Sequence, residues 1–252
     1  MKLALFEMIN DMDVQANQSA ILQAAAQAAQ SGAKLLITPE CALSGFSARL
    51  SFTTQDDLQC ALAPLQDAAE RDNIALLVGT QLPPDQPDEG PQNGFAFISP
   101  GRPITYAAKT GLTDSERRFF AAPEGPGARV LALGEYRLGL LICAEVEDPP
   151  APCLDPSLNA LIWPGYWRWE DQEGWQANRH DGSPNHAWHL QRKLSRPLIQ
   201  ANFAANAEAD PRVSGPNGRS VCISADGRPV HQTITIQSGK SSLHIVSLDS
   251  LQ

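Results

Sequence analysis

Three side chains of complementary chemistry each stand just beyond an apolar run. KLLIT leads into Pro39 and Glu40, ITYAA leads into Lys109, and LGLLI leads into Cys143, followed by Ala144 and Glu145. A thiol with an ordinary pKa of about 8.5 is mostly protonated at neutral pH, so it needs a base or a cation to become a nucleophile. A carboxylate can take its proton, and an ammonium can stabilise first the thiolate and then the oxyanion of a tetrahedral intermediate. Taken singly, each residue has a structural explanation. A Cys closing a buried strand is a small core residue, a Glu after Pro suits a helix start, and a Lys suits a solvated strand end. The conjunction points to a site, because ligands gather at the carboxyl ends of strands in α/β sheets. No histidine lies near these runs in sequence, which weighs against a Cys–His couple.

The elements that must position this trio alternate between strand and helix. LALFEMI opens as a buried strand. Over 14–29 the apolar residues Val14, Ile21, Leu22, Ala25, Ala28 and Ala29 share one helical face, with Gly32 placed to close the helix. AKLLITPE is a strand stopped by Pro39, 55–71 is a second helix and NIALLVGT a third strand. PPDQPDEGPQN is a loop, and GFAFIS, SPGRP and ITYAA form a hairpin. RVLAL and YRLGLLIC pair around GEY, NALIW is a strand, 184–194 a helix and PLIQAN a strand. SVCISA, a DGRP turn and a final strand LHIVSL close the chain. The pattern predicts an α/β fold with mixed sheets flanked by helices, in one domain over 1–252.

Composition narrows the partners. Nineteen Lys plus Arg against 28 Asp plus Glu give a formal charge of −9 over 252 residues. Such a chain lacks the basic surface needed to neutralise phosphates or to hold an anionic membrane, so neither nucleic acid nor membrane is expected as a partner. No apolar stretch approaches the roughly 20 residues needed to span a bilayer. Glu7 interrupts MKLALFEMIND before a signal-peptide core can form. Five cysteines, Cys41, Cys60, Cys143, Cys153 and Cys222, without a CxxC, fit a reducing cytoplasm. His180, His186 and His189 lack a zinc-site spacing and read as a solvated helix start. Arg117 and Arg118 read as pocket cations or plain surface charges, with surface favoured. No phosphate loop, GxSxG elbow or HExxH helix occurs, and no metal or cofactor is expected.

TPECALSGF, KTGLTDSERRFF and LGLLICAE, in that order, resemble the three signature segments of the nitrilase superfamily, the carbon–nitrogen hydrolases. HAWHLQRKLSRPLIQAN is similar to the family's later helix and strand, GPNGRSVCISADGRPV to its Gly-x-Ser segment and hairpin, and LHIVSLD to its closing strand. The resemblance implies a four-layer αββα sandwich that assembles as a homodimer or larger homo-oligomer. It implies Glu40 as general base, Lys109 as oxyanion stabiliser and Cys143 as nucleophile. Glu116 would orient Lys109 or assist the base, and the Ala144 backbone N–H would be the second oxyanion donor. The implied chemistry is attack on a carbonyl, loss of ammonia or an amine, and hydrolysis of a thioester. This chain departs from the family pattern in three places. Cys143-Ala144-Glu145 lacks the aromatic of Cys-Tyr-Asp or Cys-Trp-Glu, Gly111 stands where many members have His, and VEDPPAP replaces Arg and Phe-Pro-Glu. These departures bear on the substrate and leave the trio intact.

Trp163, Tyr166, Trp167, Trp169 and Trp175 crowd one short stretch. They are expected either to wall an apolar pocket, with Arg168 and Glu145 near the substrate, or to form a core or interface patch. The leading expectation is hydrolysis of a small linear amide or N-carbamoyl compound by a Glu-Lys-Cys triad. A nitrile hydrolase is the rival enzyme, favoured by Glu145 and disfavoured by the missing Trp. A non-catalytic binding member is disfavoured by the intact trio.

Overall fold

The computed structural model describes residues 1–86, 89–167, 175–179, 181–204, 219–230, 234–238 and 241–252. Period-two burial gives its first sheet two apolar faces. Strand β1 (Lys2–Glu7) sends Ala4 and Phe6 to one side and Leu3 and Leu5 to the other. Strands β2 (Leu35–Ile37) and β3 (Ala75–Leu82) repeat the pattern, with Leu36, Leu76 and Val78 opposed to Leu35, Ile37, Ala75 and Leu77. The first set packs under helices α1 (Val14–Gln30) and α2 (Gln55–Asp72). The second set meets Leu138, Leu140, Ala160, Ile162 and Ile199 of a second sheet. Burying each such Leu or Ile contributes about 1.5–3 kcal/mol.

Strands β4 (Gln92–Ile98) and β5 (Thr105–Ala108) extend the first sheet on one side. The second sheet contains β6 (Val130–Leu133), β7 (Tyr136–Leu140), β8 (Ala160–Ile162), β9 (Leu198–Gln200), β10 (Val221–Ile223) and β11 (Pro229–Val230). Strands β12 (Ile234–Ser238) and β13 (Ser241–Ser247) complete the first sheet, whose order is β12-β13-β1-β2-β3-β4-β5. The second runs β11-β10-β9-β8-β7-β6. Helix α3 (His186–Leu194) covers the outer side of the second sheet through Ala187 and Leu190, against Leu161, Leu198 and Ile223. The layers are therefore helix, sheet, sheet, helix in a single α/β domain, the αββα arrangement expected.

The topology of the first sheet explains why Glu40 and Lys109 converge. Strands β1, β2 and β3 are parallel, and β5 is two antiparallel steps from β3. Strand β5 thus runs in the direction of β2 and delivers Lys109 to the edge that receives Glu40. Gly79 in β3 permits a close approach there, since a Cβ on it would lie 2.0 Å from the Pro39 carbonyl oxygen and 2.8 Å from the Cys41 nitrogen.

The structure departs from the sequence expectations in a few places. Gln92 and Asn93, assigned to a loop, open β4 opposite Leu82 and Gln81. Their side chains are polar but buried, satisfied by Asp85 and Glu40 respectively, so composition disguised a strand. Strand β12, in the polar stretch HQTITIQ, was not among the expected elements. Strands β2 and β7 end three residues before Glu40 and Cys143, which sit in turns. Among the described residues no helix is long and apolar enough to cross a membrane.

Candidate active site

Glu40 sits in the turn after β2, fully buried. The next residue, Cys41, has φ +54°, a left-handed conformation that costs a non-glycine residue roughly 1–2 kcal/mol. Leu43 N–H donates to the Gly79 carbonyl at 2.8 Å and pins the turn to β3. Lys109 follows β5 directly and is also fully buried. Its Nζ donates to Glu40 Oε1 at 2.7 Å and to Glu116 Oε1 at 2.6 Å. Asn93 Nδ2 donates to the same two oxygens, at 2.7 and 3.3 Å. Glu116 opens a 3₁₀ turn, and its other oxygen accepts from Thr113 N–H at 2.8 Å and Thr113 Oγ1 at 2.9 Å. The free oxygen of Glu40, Oε2, accepts from the Tyr166 backbone N–H at 3.0 Å.

Two carboxylates thus face one ammonium out of contact with water. Burial pushes the Glu40 pKa above its ordinary value and Glu116 pushes it further, while Lys109 and Asn93 hold it back. For Lys109, burial works against the charge, but Glu40, Cys143 and Glu116 outweigh it, so the ammonium is held charged.

Cys143 is presented by an elbow. Strand β7 ends at Leu140, and Cys143, at φ +48°, opens a 3₁₀ turn over Cys143–Val146. Its N–H donates to the Pro164 carbonyl at 3.0 Å, and its carbonyl accepts from Trp163 Nε1 at 2.7 Å. The Ala144 N–H finds no acceptor among the described residues. Gly165 packs over the thiol; a Cβ on it would stand 3.6 Å from Sγ. Burial raises the Cys143 pKa, Glu40 and Glu116 raise it further, and Lys109 and the Tyr166 amide oppose them. The resting group is a thiol within the electrostatic reach of both carboxylates and the ammonium.

A second buried network lies beside the first. Arg129 forms a bidentate pair with Glu145, at 2.7 Å to each oxygen. It also donates to the carbonyls of Ala108 at 2.5 Å and Leu140 at 3.3 Å. Glu145 accepts in addition from Thr110 N–H at 2.7 Å and Ile142 N–H at 2.8 Å.

The structure therefore brings Glu40, Lys109, Glu116 and Cys143 together. Glu145, expected near substrate, has both oxygens engaged by protein donors. Trp163, expected either in a pocket wall or in a core or interface patch, is buried beneath the elbow and so belongs to the core. Trp167 packs edge-on against Trp163, with centroids 5.3 Å apart, and lies under the Arg179 guanidinium. Tyr166 stacks on Phe46 at 4.9 Å and joins an aromatic group with Phe119, Phe120 and Phe203. Arg168, Trp169 and His180 lie outside the described residues, as does 215–218. His186, His189, Arg117 and Arg118 are exposed. Arg117 borders a cleft of about 380 Å³ beside Ala144, with Thr110, Thr113, Glu147 and Asp148. Asn93, Arg129, Gly165 and the Tyr166 amide were not expected at the site. Asn93 was hidden in a Pro- and Gly-rich stretch, and Arg129 stands at the start of an ordinary strand.

The family model described as carbon-nitrogen hydrolase matches residues 2–249. No curated protein matches the sequence. Among solved structures, the chain is similar to a Nesterenkonia sp. amidase, with 20% identity over 100% of this chain and 92% of that one and a TM-score of 0.72. It is similar to a variant of the Nesterenkonia sp. AN1 amidase in complex with butyramide, with 20% identity, 100% and 93% coverage and a TM-score of 0.73. Another variant of that amidase, carrying acrylamide added to its active-site cysteine, shows 20% identity, 98% and 92% coverage and a TM-score of 0.73.

Proposed function

The chain belongs to the carbon–nitrogen hydrolase family, and on that premise we propose that it hydrolyses a small linear amide or N-carbamoyl compound through a thioester on Cys143. The surplus carboxylate carries this function: Glu40 and Glu116 share a single ammonium, Lys109, next to a buried thiol. Moving the Cys143 proton to Glu40 leaves the formal charge of the cluster unchanged, so the thiolate forms without adding net charge to a dry site. The raised pKa of Glu40 makes it a better proton acceptor than an ordinary glutamate.

The thiolate sulfur attacks the amide carbon, and the carbonyl π electrons move to oxygen. Lys109 has a third N–H beyond the two given to carboxylates, and the Ala144 N–H has no acceptor among the described residues; both serve the oxyanion. Glu40 returns its proton to the departing nitrogen, and the C–N bond breaks to leave ammonia or an amine and the thioester. Water then gives a proton to Glu40 and its hydroxyl to the acyl carbon. The C–S bond breaks, and the proton returns to the thiol. Glu116 and Asn93 hold Lys109 and Glu40 in register. Glu145 belongs to the scaffold of the elbow rather than to substrate. A homo-oligomer acting in the cytoplasm, as one domain over 1–252, is part of the same proposal.

The amidase from Nesterenkonia sp. AN1 forms a complex with butyramide, which makes short aliphatic amides the first substrates to try. Ammonia release over a panel of such amides, carbamoyl amino acids and nitriles tests the function. Turnover of at least one amide or carbamoyl compound, lost in Cys143→Ala, supports it; release from nitriles alone, or undiminished release by Cys143→Ala, overturns it.

A further inference from the structure

Lys109 and Cys143 come from different sheets, one following β5 and the other following β7. Their spacing therefore depends on whatever ties those two strand ends together. The Arg129–Glu145 pair contacts the chain on both sides of each residue. Arg129 donates to the carbonyl of Ala108, immediately before Lys109, and Glu145 accepts from the N–H of Thr110, immediately after it. Arg129 also donates to the carbonyl of Leu140, the last residue of β7, and Glu145 accepts from the N–H of Ile142, immediately before Cys143. Glu145 itself stands two residues beyond the thiol. Gly111 is fitted to this arrangement, because a Cβ there would lie 2.9 Å from the Glu145 Cγ.

We propose that Arg129 and Glu145 are positioning residues that set the distance between the Lys109 ammonium and the Cys143 sulfur, and act on catalysis without touching substrate. This role presupposes the proposed chemistry at Cys143. A fully buried pair is a poor device for stability alone, since apolar residues of similar volume often serve as well or better. Its planar fork, by contrast, fixes direction as well as distance, which an ammonium cannot do. Misplacing a reacting group by about 1 Å can cost about 10²-fold in rate.

The test is a set of variants assayed on a verified amide. Arg129→Met strands a buried carboxylate and lowers stability. The double variant Arg129→Met with Glu145→Gln removes both charges and regains stability relative to Arg129→Met alone. If the pair positions the site, kcat of the refolded double variant stays down about 10²-fold with KM changed little. Arg129→Lys, which keeps the charge and loses the fork, lowers kcat in the same way. A folded double variant with wild-type kcat overturns the proposal. Should the double variant not fold, folded Arg129→Lys with wild-type kcat overturns it equally. Cys143→Ala separates the two layers. Activity surviving in Cys143→Ala removes the underlying chemistry, whereas an inactive Cys143→Ala beside a fully active double variant removes only the positioning role.

Discussion

Two buried charge networks lie side by side in this molecule and follow opposite rules. In one, Arg129 and Glu145 match one for one and bond each other and the chain around them, leaving Arg129 Nε without an acceptor among the described residues. In the other, Glu40 and Glu116 share Lys109, so one negative charge is left over. Each network also has a buried cysteine beside it. Cys153 senses Arg129 and Glu145, donates to the Leu140 carbonyl at 3.1 Å, and is pushed up to about 12 by burial. Cys143 senses Glu40, Lys109 and Glu116. Burial and ion pairing are common to both, so neither marks the reacting group. The two networks differ in their balance: the surplus carboxylate of the first is, on the proposed mechanism, the group that receives the Cys143 proton, and buried Cys41, which donates to Asn93 Oδ1 at 3.4 Å, lies beside the same charges.

Removing the nucleophile is the severest way to probe that contrast. Cys143→Ala should lose several orders of magnitude in turnover, while Cys153→Ala should keep turnover within a few-fold; kcat of the two purified variants checks this. Lys109→Met comes next. It removes an oxyanion donor, worth about 10²–10³ in rate, and strands two buried carboxylates, so the denaturation midpoint should fall with kcat. Glu40→Gln sharpens the comparison further, because it makes the first network as balanced as the second. Turnover should fall by about 10²–10⁴ for want of a base, yet chemical denaturation should show stability equal to or above that of the parent. A Glu40→Gln protein that is clearly less stable would break the account of surplus charge.

A smaller effect concerns pH. The proposed mechanism requires Glu40 as a carboxylate, so the rate should decline as pH falls through the Glu40 pKa. That pKa is raised, so the acid limb of kcat/KM should lie above 4.5, the ordinary value. Glu116 is one of the groups that raise it, so Glu116→Gln should move the limb to lower pH. A limb that stays put, or moves up, would place the titrating group elsewhere. Least of all, Gly165→Ala should leave the fold intact, since the added Cβ meets the elbow only at ordinary contact distances of 3.4–3.6 Å. It should cut kcat/KM by about tenfold by crowding the approach to sulfur, as steady-state rates and a melting curve would show.

The parts legible in the sequence were those set by periodicity. Apolar strands and their ends gave the mixed sheets with flanking helices and singled out Glu40, Lys109 and Cys143, while the four-layer arrangement and Glu116 came from the family resemblance. The parts that were not legible are pairings between distant residues. Arg129 and Glu145 are 16 positions apart, on either side of a hairpin; Arg129 alone resembles an ordinary strand-end charge, and Glu145, beside the cysteine, was expected at the substrate. Asn93 lies in a stretch whose Pro and Gly content signals a loop, although its amide bridges the two buried carboxylates Glu40 and Glu116. Trp163 was expected either in a pocket wall or in a core or interface patch, and it lies in the core. Pattern shows that an indole is buried, but not that its N–H will reach back to the carbonyl of Cys143.

The most direct measurement follows both thiols at once. The protein is alkylated stepwise with a small amide electrophile such as acrylamide, each cysteine is mapped by peptide mass spectrometry, and residual hydrolysis is assayed on the same samples. The account predicts that activity falls in proportion to modification of Cys143 while Cys153 remains a free thiol. Activity that persists with Cys143 fully modified, or vanishes while Cys143 is intact, would contradict it.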